Sequence, residues 1–282
     1  MLISEVVLSL YPTLIKTVDT SVFFQTGLRM IVFTTLALLA ALLTGSPLPT
    51  IASKETLLTG LLNLTHVGSS YTAFESLAGG NAMSLFYTYP IFNILGAAGV
   101  LGESVPRSSW PWILLAFAGV VCVAQPSPSN WSMLGVSMAL LAALTETGIY
   151  LWFKQKKEDG DSQPWTKMAQ MYGSSGGLWA IGTVLLLVVG LLGKNVFSIS
   201  GSGLGAILGF NSIVGFLGYA LRFYLIPNVS TVTFSALSFF GVISAYIFGW
   251  IFSNELPTTL QIIGSGAIIA ANAVLLRSDE YI

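Results

Sequence analysis

Charge is scarce in this chain. Lysine, arginine, aspartate and glutamate make up 8% of its 282 residues, about a third of the roughly 25% found in soluble domains. A water-soluble fold of this size is excluded first. One cysteine, Cys122, and one histidine, His66, exclude a disulfide framework, Cys-rich zinc sites and His-cluster metal sites. No metal and no cofactor is expected. A net charge of -1 supplies no basic footprint, so nucleic acid is not a partner. What the chain has in quantity is apolar surface: 54% of its residues are hydrophobic and its mean hydropathy is +0.80. A polytopic membrane protein remains.

A membrane-crossing helix needs roughly 20 mostly apolar residues. Reading for apolar runs between Pro, Gly, Ser and charge punctuation gives ten. They are Leu2–Lys16, Val22–Leu43, Leu57–Leu77, Gly80–Leu101 and Trp110–Gln125, then Met133–Phe153, Trp165–Leu192, Gly203–Tyr224, Val229–Ser253 and Pro257–Leu276. Membrane strands would alternate apolar and polar residues over about ten positions, and Ile181–Leu192 does not. The expected fold is an all-α membrane protein. The first span is short and starts at Met1 without a basic leader, unlike a secretory signal.

Lysine and arginine near span ends set orientation. With the N-terminus inside, the inner face receives Lys54, Arg107, Lys154, Lys156, Lys157, Lys167, Arg222 and Arg277, and the outer face Lys16, Arg29 and Lys194. That asymmetry predicts both termini in the cytosol. Which membrane is involved is not written in the sequence.

The stretch Leu85–Gly119 can be laid on Leu237–Ala271 with a constant shift of 152, which puts Glu103 on Glu255. Each of these closes a long apolar helix shortly before a proline (Pro106, Pro257). An odd number of spans per half turns the second half upside down. The expected organisation is therefore two inverted five-helix repeats, residues 1–126 and 127–282, with a substrate site between them near the midplane. Leu101-Gly102-Glu103 before the Gly119 span, Asn254-Glu255 before Gly264 and Gly266, Arg29 in the second span and Pro90 in the fourth together resemble the EamA-type carriers of the drug/metabolite transporter superfamily. The resemblance covers nearly the whole chain. It implies a ten-helix carrier of small organic solutes working by alternating access. Val242 stands where a second proline would match Pro90, so the two halves are expected to differ there.

Polar groups in a membrane bundle should face its interior or a wet cavity. Thr59, Asn63, His66 and Ser70 share one face of the third span, and the 152 shift carries them onto Asn211, Gly215, Gly218 and Arg222 of the eighth. Close helix packing is the competing reading of both stripes. The fourth span adds Asn81, Ser84 and Tyr87 beside Pro90, and the ninth offers Phe239. Glu146, in the middle of the sixth span, is the sharpest signal. An unpaired carboxylate there costs about 3 kcal/mol, so it suits a coupling proton, an ammonium group or a structural hydrogen bond. Arg29 and Glu75 are expected to pair in an outer gate or to snorkel. Arg222 lies near the inner end of its span, where snorkelling competes with holding a substrate carboxylate. Glu103 and Glu255 are read as hinge caps for the helices that follow them. Glu5 lies too near the start for its depth to be read.

Substrate-binding candidates are thus Asn63, His66, Ser70, Asn81, Ser84, Tyr87, Glu146, Asn211, Arg222 and Phe239. Gate and structural candidates are Arg29, Glu75, Pro90, Glu103 and Glu255. Catalytic chemistry needs clustered groups, and the scattered carboxylates with one His and one Cys offer none; an enzyme is not expected. The leading expectation is a carrier for a neutral, zwitterionic or cationic metabolite such as an amino acid or amine. A sugar-phosphate or nucleotide-sugar exchanger needs several cations for phosphate, and only Arg29 and Arg222 could serve. A non-transporting scaffold is the alternative from another class. Lipid, the small-molecule substrate and a coupling proton are the expected partners, for a monomer or a homodimer.

Overall fold

A computed structural model describes residues 1–50, 53–77, 79–124, 132–158, 164–193, 195–253 and 258–279. Among these residues the chain is helical, without a strand. Its α-helices are α1 (Leu2–Leu8), α2 (Tyr11–Thr17), α3 (Val22–Leu43), α4 (Lys54–Ser76), α5 (Gly79–Phe86), α6 (Tyr89–Gly96) and α7 (Trp110–Ala124). They continue with α8 (Met133–Glu158), α9 (Pro164–Val188), α10 (Gly201–Gly209), α11 (Phe216–Leu225), α12 (Thr231–Ser238), α13 (Phe240–Ser253) and α14 (Thr259–Asp279). π-helical turns extend α6 over Ala97–Leu101 and join α10 to α11 over Phe210–Gly215.

Five stretches are long and apolar enough to cross a bilayer: Val22–Leu43, Met133–Gln155, Pro164–Val188, Gly201–Asn228 and Thr259–Arg277. Shorter apolar helices cover Tyr89–Leu101, Arg107–Val123 and Thr231–Ala245. α4 is as long as these but more polar, because Thr59, Asn63, His66, Ser69 and Ser70 are turned inward and buried. The distribution is that of a protein dissolved in lipid. Leu43, Val188 and Ile181 are 88%, 78% and 62% exposed, whereas Arg29 and Glu146 are 1% and 2% exposed. Water would reverse that order.

Local chemistry sets the helix ends. Side-chain oxygens of Ser21, Ser53, Ser200 and Ser230 accept from backbone N–H groups two or three residues into α3, α4, α10 and α12, satisfying donors a helix leaves open. α3 and α9 stop beside Gly45 and Gly190, at φ +65° and +70°. The next residues, Ser46 and Leu191, donate back to Ala41 and Leu186, a closure that needs a left-handed residue.

Three expected spans are bent where the sequence suggests single helices. The first breaks into α1 and α2 at Ser9–Leu10. Pro12 has no N–H for the Leu8 carbonyl, and the Ser9 hydroxyl bonds the Val6 carbonyl at 2.7 Å. The fourth breaks into α5 and α6 just ahead of Pro90. The ninth breaks at Phe239 without any proline, which corrects the asymmetry expected from Val242. There the Phe239 and Val242 N–H groups reach back only three residues, and Ser238 bonds the Phe234 carbonyl at 2.9 Å. A back-bonding serine bends a helix by drawing on its own ladder. The 152 shift carries Phe86, the end of α5, onto Ser238, the end of α12.

Helix ends gather at two opposite faces. At one, Trp152 donates to Glu55 at 2.7 Å, Gln170 to Thr56 at 3.0 Å and Thr166 to the Pro47 carbonyl at 2.6 Å. At the other, Lys16 donates to the Leu77 carbonyl at 3.1 Å and Ser21 to that of Val196 at 2.7 Å. α4 runs from one face to the other, packed on α8 and α9, while α3 packs along α9 and α7 along α14. The last pair touches backbone to backbone: a Cβ on Gly264 would sit 2.6 Å from the Gly119 carbonyl oxygen, and one on Gly119 2.7 Å from that of Gly264.

Candidate functional site

Two glycines decide where α1 lies. A Cβ at Gly218 of α11 would meet Val7 and Leu8, each at 2.8 Å, so its absence lets α1 press against that helix. Ser4 then donates to the Gly218 carbonyl at 2.8 Å. A Cβ at Gly241 would collide with the Tyr87 hydroxyl and come within 2.9 Å of Glu5 Oε2. Glu5 is thereby seated in the protein interior beside Arg222, one helical turn after Gly218.

Arg222 joins two carboxylates. Its Nη1 bonds Glu5 Oε1, and its Nη2 lies 2.6 Å from Glu146 Oε1. All three are buried, with side chains 2–4% exposed. Tyr87 donates to the other Glu5 oxygen at 3.3 Å, and the guanidinium sits 5.0 and 5.2 Å from the ring centres of Tyr89 and Phe234. Opposite, His66 Nε2 lies 3.2 Å from Glu146 Oε2, and its Nδ1 lies 3.2 Å from the Ala142 carbonyl oxygen. α1, α4, α8 and α11 each give one member of this cluster.

Arg29 is held differently. Ring centres of Tyr219, Tyr11, Phe33 and Tyr71 lie 4.4, 4.8, 5.0 and 5.7 Å from its guanidinium carbon. Its Nη2 donates to the Tyr172 hydroxyl at 3.3 Å and its Nη1 reaches that of Tyr71 at 3.5 Å. Among the described residues no carboxylate pairs with it. Aromatic faces attract a desolvated guanidinium without neutralising it. Arg29, Arg222, Glu5, Glu146, His66 and Ser70 line one cavity of about 40 Å³, enough for water.

The structure brings His66, Ser70, Tyr87, Glu146 and Arg222 to this cavity, and adds Arg29 from the gate candidates. Other candidates lie elsewhere. Asn63 donates to Ser175 at 2.8 Å and faces the Met30 sulfur at 3.7 Å; it fastens α4 to α9 and α3, so the polar face of α4 divides between packing and cavity. Asn211 accepts from the Tyr11 hydroxyl at 2.9 Å, positioning a ring of the Arg29 cage. Phe239 and Pro90 are buried in the packing around the elbows.

Three expectations are corrected. Arg29 and Glu75 form no gate pair: Glu75 is exposed, while Arg29 is enclosed by tyrosines. Arg222 does not snorkel, because two buried carboxylates hold it more strongly than distant headgroups. Glu103 caps no following helix among the described contacts. It accepts from Thr231 at 2.5 Å, lies 3.3 Å from Lys154 Nζ, and Thr231 in turn accepts from Tyr150 at 2.7 Å. With Lys154 also donating to the Val229 carbonyl at 2.8 Å, this is a latch across α8 and α12. Glu255 and the side chains of Asn81 and Ser84 lie outside the described residues.

Sequence reasoning missed Glu5, Tyr11, Tyr71 and Tyr219. Glu5 carried a signal, being an acidic residue inside an apolar helix. Tyr219 lies three residues before Arg222 and so on its face. Tyr11 and Tyr71 carried none, since aromatics at helical spacing are ordinary core.

Helices of bilayer length, an apolar exterior and a charged interior define an integral, multi-pass membrane protein. Residues 1–125 match the model of the EamA-like transporter family, a family of transporters rather than enzymes. The chain is 22% identical over 226 residues, 79% of this chain and 75% of the relative, to the pseudopaline exporter CntI of Pseudomonas aeruginosa strain UCBPP-PA14, and equally to that of strain PAO1. A solved crystal structure at 16% identity has a TM-score of 0.78 and covers 99% of this chain and 95% of its own, a likeness of fold.

Proposed function

We propose that this transporter carries a small amine-bearing metabolite, zwitterionic or cationic, by alternating access between two oppositely oriented five-span units, residues 1–126 and 127–282, with both termini cytosolic. Matched helix pairings support the two-unit reading. α1 packs on α11 as α8 packs on α4, and α5 on α7 as α12 on α14. α3 with α9, α6 with α12 and α7 with α14 pair corresponding helices of the two units.

The observation that carries the substrate reading is the charge layout of the cavity. Arg29 has aromatic rings around it and no carboxylate among the described residues, so it is free to take an acceptor. Glu146 Oε2 faces His66 Nε2 at 3.2 Å and accepts no hydrogen bond from another described residue. One cation open to a carboxylate and one carboxylate oxygen open to a donor match an amino acid or a similar solute. A phosphate dianion would find only Arg29 uncommitted, which disfavours sugar-phosphate exchange. A cavity of about 40 Å³ is far below the ~300 Å³ or more of ordinary ligand pockets. Loading therefore requires opening, and the Glu103–Lys154–Thr231 latch closes the end assigned to the cytosol.

Counterflow in proteoliposomes against L-amino acids, putrescine and glucose 6-phosphate tests this. Amine-bearing solutes should exchange, and Glu146→Gln should abolish concentrative uptake while the purified protein stays monodisperse. Exchange confined to glucose 6-phosphate, or unchanged uptake by Glu146→Gln, would refute the reading.

A further inference from the structure

The geometry around His66 fixes where a proton must be. Its Nδ1 lies 3.2 Å from the carbonyl oxygen of Ala142. A carbonyl can only accept, so Nδ1 carries a hydrogen, and in the neutral ring Nε2 is then a bare acceptor. That bare nitrogen faces Glu146 Oε2 at 3.2 Å, and a carboxylate oxygen also only accepts. Two acceptors this close in a buried site repel each other. One proton between them satisfies both, whether it rides on the ring or on the carboxyl.

We propose that His66 and Glu146 hold a single shared proton, and that the carrier exchanges this proton for the protonated amine of its cargo. The inference rests on the carrier reading above and names its coupling ion. The bridging proton and a protonated amine compete for the same two lone pairs, on His66 Nε2 and Glu146 Oε2, so one is held at a time. Mutually exclusive occupancy is what turns two bindings into an exchange. The bookkeeping of charge agrees. Arg29 from α3 and Arg222 from α11 balance Glu5 from α1 and Glu146, so the shared proton leaves the cavity one charge above neutral. An ammonium group restores that charge as the proton departs to water on the side then open. The cargo arrives protonated, and only hydrogen bonds and the one N–H or O–H bond change. A zwitterion also sets its carboxylate on Arg29.

The remaining groups turned toward the pair cannot replace this proton. Tyr11 from α2, Tyr71 from α4 and Tyr172 from α9 attend Arg29. Tyr87 attends Glu5, and Tyr89 lies against Arg222. Arg222 and Glu5 are engaged with each other. Ser70 spends its hydroxyl on the Val67 carbonyl at 3.0 Å.

Because His66 is the chain's one histidine, ¹⁵N-histidine labelling of the full-length protein in lipid nanodiscs reports this site alone. The expected spectrum has Nδ1 protonated throughout pH 5–9 and Nε2 sharing a proton at the acid end. Adding the amine that exchanges best in counterflow, at fixed pH, should displace that proton. In Glu146→Gln the bridging signal should be absent at every pH. In proteoliposomes containing a trapped pH dye, amine addition should move protons opposite to the amine. A neutral ring protonated on Nε2 would overturn the inference. So would a bridging signal that survives in Glu146→Gln, or counterflow without proton movement, which leaves the carrier reading standing. A bridging proton in a protein that exchanges no amine refutes the carrier reading instead, and with it the exchange.

Discussion

Replacing Arg222 with methionine is the perturbation that presses hardest on the cluster. The substitution keeps much of the side-chain volume but strands Glu5 and Glu146, whose side chains are 2% and 3% exposed. Breaking a buried ion pair costs about 3–5 kcal/mol. Here one cation serves two carboxylates, so the upper part of that range applies, eased only by Tyr87 on Glu5 and His66 on Glu146. Converted at about 2–4 °C per kcal/mol for a chain of this size, the loss is roughly 10–20 °C in Tm. Glu5→Gln alone leaves Arg222 paired with Glu146 and exchanges one charged hydrogen bond for a neutral one. Its cost should be about 1.5–3 kcal/mol. The decisive variant combines Arg222→Met, Glu5→Gln and Glu146→Gln. Removing every charge of a buried network is often neutral, so the triple variant should recover most of the lost Tm while remaining inactive. Intrinsic tryptophan fluorescence during thermal unfolding in nanodiscs measures all three. A triple variant no more stable than Arg222→Met would show that the stranded carboxylates are not the cause, and the cluster would lose its electrostatic reading.

Other consequences are simpler to check. Gly264→Val would drive a side chain into the Gly119 carbonyl and Cys122; it should cost about 1–3 kcal/mol and show as lost monodisperse yield. Leu185, 60% exposed, lies on the lipid side of α9, so Leu185→Arg should cut membrane insertion by about 2.5–3.5 kcal/mol on insertion scales, whereas Leu185→Ile should not. Lys154→Met releases the Val229 carbonyl and Glu103. In a Cys122→Ser background it should speed maleimide labelling of a cysteine placed at buried Ser235, and an unchanged rate would remove the latch.

Much of the helix inventory could be read from the sequence because hydrocarbon thickness fixes segment length. The stop at Gly45 follows from ordinary turn chemistry. The elbow at Phe239 could not be read, since nothing marks it except serines that could equally have bonded elsewhere. Depth alone flagged Glu146, whose burial is too costly to be idle. It could not say that Arg222 would turn inward to meet it, because a residue near a helix end has two destinations and only the neighbouring helices choose. Asn63 and His66 share a helical face, yet they are separated by about one turn, so α9 takes one and the cavity the other. Arg29 was expected to pair with Glu75 or to snorkel. Its tyrosines come from α2, α4, α9 and α11, and no local pattern announces a cage assembled from four helices.

The Gly119–Gly264 contact has a mechanical consequence. Peptide planes pressed together without intervening side chains have little room to slide, so α7 and α14 behave as one doubled post. If the two proposed units rock against each other, α7 and α14 move together through that motion. Spin labels on the post should keep their separation in every state of the cycle, while labels across the elbows should not.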